Sequence, residues 1–303
     1  MKVDKLVSVI TINYNGLEDT CELMETLPLD DESIEVIVVD NASFKDEATI
    51  IEQRYPQVSV VRSQENLGFA GGNNLGIKAA TGRYLFFINN DTLLPKASTF
   101  RQLINRLESS EAIGAVCPKI RFAWDDKPIQ FAGYTPLSSI TLRNQAIGCG
   151  EKDDGQYDTP HVTSFLHGAA MMVKREVVER VGVMPECYFL YYEEFDWSMM
   201  MRRAGYELWY EPSATIFHKE SRATGQDSPL KTYYLTRNRL LFAQRNIKLP
   251  KRWLTYLYLL GPVAVRDFLR NLGCTRHPQL FASRTAYCDF LAGRFGKKQE
   301  KRL

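Results

Sequence analysis

Residues 66–91 read NLGFAGGNNLGIKAATGRYLFFINND, and this stretch decides the fold. A loop rich in Gly and Asn, residues 66–74, leads into a short helix expected to begin near Gly71, and a turn follows at Thr81-Gly82. An apolar strand over residues 83–88 then runs straight into Asn89-Asn90-Asp91. A strand without polar alternation belongs inside a parallel sheet, covered on both faces. The carboxyl ends of such strands are where open α/β sheets bind ligands. Backbone N–H groups in the Gly-rich loop suit anionic oxygens, and a carboxylate at the strand tip suits a divalent cation. Together these features specify a site for a nucleoside diphosphate.

The flanking sequence repeats the same alternation. Residues 6–12 form a β-branched run that stops at the turn signal Asn13-Tyr14-Asn15-Gly16, and residues 17–27 have helical spacing. A strand over 34–39 ends in Asp40-Asn41, a helix over 46–55 is stopped by Pro56, and a third strand covers 58–62. Strand–helix alternation of this kind builds an α/β fold, a mostly parallel sheet flanked by helices. The strand tips Asn13, Asp40 and Asp91 should therefore converge on one rim. Further on, the pattern predicts a helix over 95–107, a strand over 115–120, and loops or a small hairpin over 121–160 near the pocket mouth. It continues with a strand over 168–173, helices over 175–181 and 193–204 (the latter closed by Gly205), and one or two short strands over 207–217. From residue 230 the chain reads as helical.

Composition narrows the function classes. A net charge of +2 over 303 residues gives no electrostatic reason to expect nucleic acid as a partner. Six scattered cysteines, Cys21, Cys117, Cys149, Cys187, Cys274 and Cys288, contain no CxxC pair, which points to reduced thiols rather than a zinc or redox site. The opening MKVDKLVSVITI has too short an apolar run for a signal peptide and carries Asp4 and Lys5 before it. With no run of about 20 apolar residues, the expectation is a cytoplasmic protein without a membrane span.

Eight blocks carry a family resemblance: VSVITINYNG, VIVVDNAS, ENLGFAGGNNLGI, YLFFINNDT, HGAAMMVKREV, FLYYEEFDW, AGYELWYEPSATIFH and YYLTRNRLLF, in that order between residues 7 and 243. With them the chain resembles bacterial inverting glycosyltransferases of family 2, and among these the rhamnosyltransferases and related enzymes of cell-surface polysaccharide synthesis. The resemblance implies a GT-A (Rossmann-like) catalytic domain over 1–225, with a nucleotide-binding half to about 120 and an acceptor half beyond it. A C-terminal helical region would follow over 226–303. It also implies a nucleoside diphosphate sugar donor (dTDP or UDP), a glycan or lipid-linked acceptor, and a divalent cation, Mn²⁺ or Mg²⁺.

The resemblance also assigns residues. Asp40 would accept a hydrogen bond from the base, with the Asn13-Tyr14-Asn15 segment and Asn41 around the nucleoside; otherwise Asp40 is a turn-forming strand-end residue. Asn66, Gly68, Ala70, Gly71 and Asn73 would face the diphosphate and donor sugar, although Gly and Asn also favour a simple turn and helix cap. The glycines do not spell GxGxxG, which argues against a dinucleotide oxidoreductase. Asn89-Asn90-Asp91 stands at the Asp-x-Asp position, so Asp91 would hold the cation and Asn90 would reach the ribose. His218 occupies the place of a second metal ligand, and its imidazole suits Mn²⁺ better than Mg²⁺. Glu194 stands where the family has its general base, with Glu193 and Asp196 as competitors; all three also favour a helix N-terminus. His167, Gly168, Ala169 and Trp197 would shape the acceptor and donor-sugar pocket.

Two rival readings are a sugar nucleotidyltransferase and an inactive nucleotide-sugar-binding protein. The first usually needs a Gly-rich basic loop after the first strand, which Asn13-Tyr14-Asn15-Gly16 does not supply. The last notable region, aromatic and Leu residues over 248–260 with Lys248, Lys251, Arg252, Arg266 and Arg270 around them, fits ordinary helix packing or an interfacial helix at the inner face of the cell membrane.

Overall fold

The computed structural model describes residues 5–96, 98–124, 126–220, 228–270 and 278–299; Asp4, Cys274 and the expected C-terminal helical residues 226–227, 271–277 and 300–303 lie outside these. The first half alternates as the sequence predicts. It comprises β1 (Val7–Asn13), α1 (Leu17–Thr26), β2 (Ile34–Asp40), α2 (Glu47–Arg54), β3 (Ser59–Arg62), α3 (Gly68–Ala79) and β4 (Tyr84–Ile88). Then come β5 (Thr92–Leu93), α4 (Thr99–Glu108), β6 (Ile113–Phe122), β7 (Ile129–Phe131), β8 (His161–Val162) and β9 (Ala170–Lys174). Next are α5 (Arg175–Val181), α6 (Glu193–Arg203) and β10 (Glu207–His218). Among the described residues four helices follow: α7 (Pro229–Asn246), α8 (Lys251–Tyr258), α9 (Ala264–Arg270) and α10 (Pro278–Leu291), with a wide π-turn at Leu259–Val263 joining α8 to α9.

One sheet runs β3-β2-β1-β4-β9-β6-β10-β5, with β7 on β6 and β8 on β10. The strands β3, β2, β1 and β4 are mutually parallel, and β6 is parallel to β10. Between those two groups β9 runs antiparallel to both β4 and β6. The mostly parallel sheet flanked by helices is thus present, as is the C-terminal helical extension. Every residue of β4 is buried, as its unbroken apolar sequence demands. Local signals hold at several ends. Asp46 caps α2 by accepting from the Thr49 N–H at 3.2 Å, and Gly205 closes α6 at φ +94°.

Two elements differ from expectation. The region expected as a short strand or two is one twelve-residue strand, β10, which continues through His218. Its register on β6 slips between Glu211 and Thr215, and that bulge absorbs Pro212, which cannot donate to a ladder. The second difference is the Gly-rich segment: α3 starts at Gly68 rather than near Gly71, so most of its glycines lie inside a buried helix. A Cβ on Gly72 would stand 2.8 Å from Ile12, and one on Gly76 would stand 2.3 Å from Ile10. These two glycines, one helical turn apart, let α3 lie directly on β1.

Gly68 has a separate role. Its φ is +73°, and a Cβ there would fall 2.1 Å from the Phe189 carbonyl oxygen. The left-handed backbone alone costs an L-residue about 1–2 kcal/mol, before the clash. Gly68→Ala is therefore expected to lower the stability by at least about 2 kcal/mol in chemical denaturation. An unchanged midpoint would show that the backbone at 68 does not need this conformation.

Candidate active site

One end of the rim is built by the tips of β1 and β2. Asn13 pairs with Asp40 in register, and its side-chain amide donates to Asp40 Oδ1 and to Glu47 Oε2, each at 2.9 Å. Ser43 Oγ also donates to Asp40 Oδ1, at 2.6 Å. Asp40 is buried and lies beneath Ser43 rather than on the cleft wall. Asn15 sits at φ +53° and accepts from the Phe44 N–H at 2.8 Å, which brings Phe44 edge-on to the exposed Tyr14 ring. The Asn41 amide grips the start of α3: it donates to Asn66 Oδ1 and to the Gly68 carbonyl and accepts from the Leu67 N–H. The cleft wall here is Ile12, Tyr14, Asn41, Asn66, Gly68 and Asn73.

The other end of the rim is set by strand register. β5 pairs antiparallel with the end of β10, His218 opposite Thr92, and the Lys219 N–H donates to the Asp91 carbonyl at 2.9 Å. This places His218 Nε2 3.1 Å from Asp91 Oδ1. The opposite ring nitrogen, Nδ1, lies 2.8 Å from the Gln130 amide oxygen, an arrangement that puts a proton on Nδ1. In that tautomer the Nε2 lone pair and Asp91 Oδ1 lie side by side, so both atoms can face a single cation. A carboxylate and an imidazole oriented through its second nitrogen form a donor set that fits Mn²⁺. Among the described residues no group of three or more His, Cys, Asp or Glu is placed to hold a metal ion, so phosphate oxygens and water would complete a coordination shell.

The third component is the pair of carboxylates that opens α6. Glu193 and Glu194 both line the cleft. Burial pushes the Glu194 carboxyl up to about 7. Glu193 lies well above the usual carboxylate range, first from burial and then from the neighbouring Glu194 charge, and its Oε2 is buried without a hydrogen-bond partner. Burial thus favours the protonated form of both carboxyls, more strongly for Glu193, and places Glu194 near neutral pH. His167 stays neutral, lowered to about 3 by burial and then by nearby His218, and its Nδ1 accepts from the Ala169 N–H at 3.1 Å. Gly168 brings the floor close to Glu194, since a Cβ there would sit 4.0 Å from Glu194 Cγ.

An unusual strap presents these carboxylates. Phe189, Tyr191 and Tyr192 all have positive φ, at +70°, +67° and +79°, although none is Gly. Buried Asn238 of α7 holds this backbone by donating to the carbonyls of Tyr188, Leu190 and Tyr191 at 3.0, 2.7 and 3.0 Å. Arg237 adds a bond to the Tyr188 carbonyl at 2.9 Å, and the Phe69 N–H donates to the Phe189 carbonyl at 2.8 Å.

Several residues expected at the site lie elsewhere. Asp196 is almost wholly buried and ties α6 to α7, accepting from Tyr188, Arg245 and Asn246, so it is not available as a base in the cleft. Trp197 is fully buried, donates to the Gly182 carbonyl at 2.9 Å and packs edge-on to Phe87. Ala70 and Gly71 are buried within α3, and Asn13 and Asn15 organise the rim without lining it. The Asn90 side-chain amide lines the cleft but also donates to Thr20 Oγ1 at 3.0 Å.

The family profile described as "Glycosyl transferase family 2" matches residues 8–182, more than half of the chain. The protein belongs to glycosyl transferase family 2. A low-salt glycan biosynthesis hexosyltransferase, Agl10, of Haloferax volcanii is 25% identical over 241 residues, covering 78% of this chain and 74% of that one. An N-acetylglucosaminyl-diphospho-decaprenol L-rhamnosyltransferase of Mycobacterium tuberculosis is 23% identical over 292 residues, covering 87% of this chain and 92% of that one. Among solved structures, a mannosyltransferase of Pyrobaculum calidifontis, in complex with GDP-Man and Mn²⁺, superposes with a TM-score of 0.59 at 17% identity, covering 95% of this chain and 87% of that one. That likeness establishes the GT-A fold.

Within this family 2 chain some cleft residues had no signal in the sequence reading. Phe69, Tyr134 and Tyr191 line the cleft, as do Lys231, Lys297 and Lys298 from the C-terminal region. Tyr134 sits in the irregular stretch after β7 and stacks parallel to His167, a contact no local pattern encodes. Asn74 follows Asn73 but turns away from the cleft, bonding the Met184 backbone at 2.9 and 3.1 Å. The resemblance to the last block, YYLTRNRLLF, touched the strap's anchors Arg237 and Asn238 without assigning them a task.

Proposed function

We propose that this protein moves a rhamnosyl or hexosyl group from a nucleoside diphosphate sugar (dTDP or UDP) to a hydroxyl of a glycan or lipid-linked glycan, with inversion, in cell-surface polysaccharide synthesis. The observation that carries this reading is Glu194, a carboxylate poised near neutral pH in the same cleft as the Asp91–His218 pair. The acceptor oxygen attacks the anomeric carbon from the face opposite the diphosphate. Its proton passes to Glu194, and the bond from the anomeric carbon to the diphosphate oxygen breaks with its electron pair. Attack from that face inverts the centre. Asp91 and His218 would hold a divalent cation, which when bound supplies charge neutralisation for the leaving diphosphate. Asn41 and Asn66, at the mouth of α3, are positioned to orient the donor. Neutral His167 keeps a further positive charge out of the pocket.

The test is donor turnover with a panel of dTDP- and UDP-sugars, with and without Mn²⁺. Turnover of dTDP-rhamnose or a UDP-hexose that a chelator abolishes is expected. Asp91→Asn should weaken Mn²⁺-dependent nucleotide binding, read by calorimetry, and lower turnover by about 10²-fold or more. Full activity in the chelator, or an Asp91→Asn enzyme like wild type, would overturn the metal role. Nucleotide binding without any transfer would favour the inactive sugar-nucleotide binder instead.

A further inference from the structure

The helical segment from α8 through α9 packs on the rest of the molecule by one edge only. Thr255, Leu259 and Val263 face inward, and the Thr255 hydroxyl donates to the Ser139 carbonyl at 2.8 Å. Trp253, Leu254, Leu257, Leu260, Val265 and Phe268 are exposed, with Trp253 63% and Leu257 68% accessible. Spacings of three, four and seven put most of them on one face of a continuous rod. Exposed single apolar residues are ordinary, but a contiguous apolar stripe along a rod about 30 Å long is a binding surface. Residues 248–269 also hold four cations, Lys248, Lys251, Arg252 and Arg266, against one acid, Asp267, which pairs with Arg266. No helix among the described residues is long and apolar enough to cross a membrane.

We propose that the exposed apolar face of α8–α9 docks flat on an anionic lipid bilayer. Leu and Phe side chains would enter the acyl boundary while Trp253 sits at the headgroup level and the lysines and arginines meet lipid phosphates. Charge decides the occupant. A second copy packed face to face on this stripe would bring two cationic borders together, whereas anionic lipid complements both the apolar stripe and its border. The proposal is independent of the transfer chemistry, although it would hold the cleft near a lipid-borne acceptor. The two regions share α10, whose Phe281 lines the cleft.

Flotation of the full chain with phosphatidylcholine vesicles, with and without about 30% phosphatidylglycerol, tests it. The wild-type protein is expected to float with the anionic vesicles and much less with the neutral ones. Leu254→Gln/Leu257→Gln should weaken vesicle binding about tenfold or more while leaving the melting temperature and nucleotide binding unchanged, because both side chains are already in solvent. Lys248→Gln/Lys251→Gln should weaken binding to anionic vesicles alone. Absence of flotation, or equal flotation by wild type and the leucine variant, overturns the proposal. So does a dimer in size-exclusion chromatography that the leucine variant dissolves while wild-type protein ignores vesicles.

Discussion

Glu194→Gln should abolish sugar transfer while leaving nucleotide binding intact, a loss of about 10²- to 10⁴-fold in kcat if Glu194 is the general base. Gln keeps the shape and removes the proton-accepting charge. Wild-type activity should rise with pH through about 7, because only the ionised carboxylate can take the acceptor proton. The variant's residual rate should lack that limb. The same group sets an opposite trend in stability. Burial raises its folded-state pKa above the ordinary 4.5, so the folded chain binds more protons than the unfolded chain between about pH 4.5 and 7. This contribution to stability is present below that window and is lost as pH rises through it. Glu194→Gln removes the loss, so the inactive variant should unfold at higher denaturant than wild type at pH 8. Wild-type turnover in Glu194→Gln, or an activity profile flat from pH 6 to 8, would end the base assignment and move attention to Glu193.

Asn238→Ala should produce the next largest effect, although Asn238 itself is placed behind the strap. Its amide satisfies three backbone carbonyls of the segment in which Phe189, Tyr191 and Tyr192 hold positive φ. Each non-Gly residue in that region costs about 1 kcal/mol or more, so the conformation persists only while it is tied down. Removing the amide takes one hydrogen bond from each of the Leu190 and Tyr191 carbonyls, while the Tyr188 carbonyl keeps Arg237; each lost bond is worth about 0.5–1.5 kcal/mol. The strap should relax, α6 should lose its starting point, and Glu194 should gain solvent. A purely structural role would lower stability and scale the rate without moving its pH dependence. A positioning role makes a further demand: as Glu194 becomes better hydrated its pKa falls, and the acidic limb of the activity profile shifts to lower pH. Asn238→Ser, which retains one donor, should lie between. A destabilised Asn238→Ala enzyme whose limb stays near pH 7 would restrict Asn238 to holding the fold.

The parallel half of the sheet was legible because its information is local. Unbroken apolar strands, turn residues after each, and Pro56 and Gly205 at helix ends all act within a few residues. Convergence of Asn13 and Asp40 followed from strand direction alone, and the two pair in register. The glycines of α3 were visible but open to two readings. Those readings were ligand contact and a turn with a helix cap; the close packing of Gly72 and Gly76 on Ile12 and Ile10 is set by tertiary placement and was not read. Asp91 and His218 are 127 residues apart, and their 3.1 Å approach depends on the two-residue strand β5 pairing with the end of β10. No periodicity reports such a pairing, so only the resemblance linked them. The strap was illegible for a similar reason: FLYYEE carries no Gly to announce left-handed backbone, and what stabilises it arrives from α7, about 50 positions later.

Because β9 runs against β4 and β6, the chain departs from the rim at the end of β6 and comes back to that rim at the start of β9. Residues 123–169 therefore leave and re-enter the sheet at adjacent points of one edge, and on the way they add β7 to β6 and β8 to β10. The same excursion carries Gln130, which steadies the His218 ring. Any exchange of this insertion has to keep that one amide in place if the imidazole is to hold its aim.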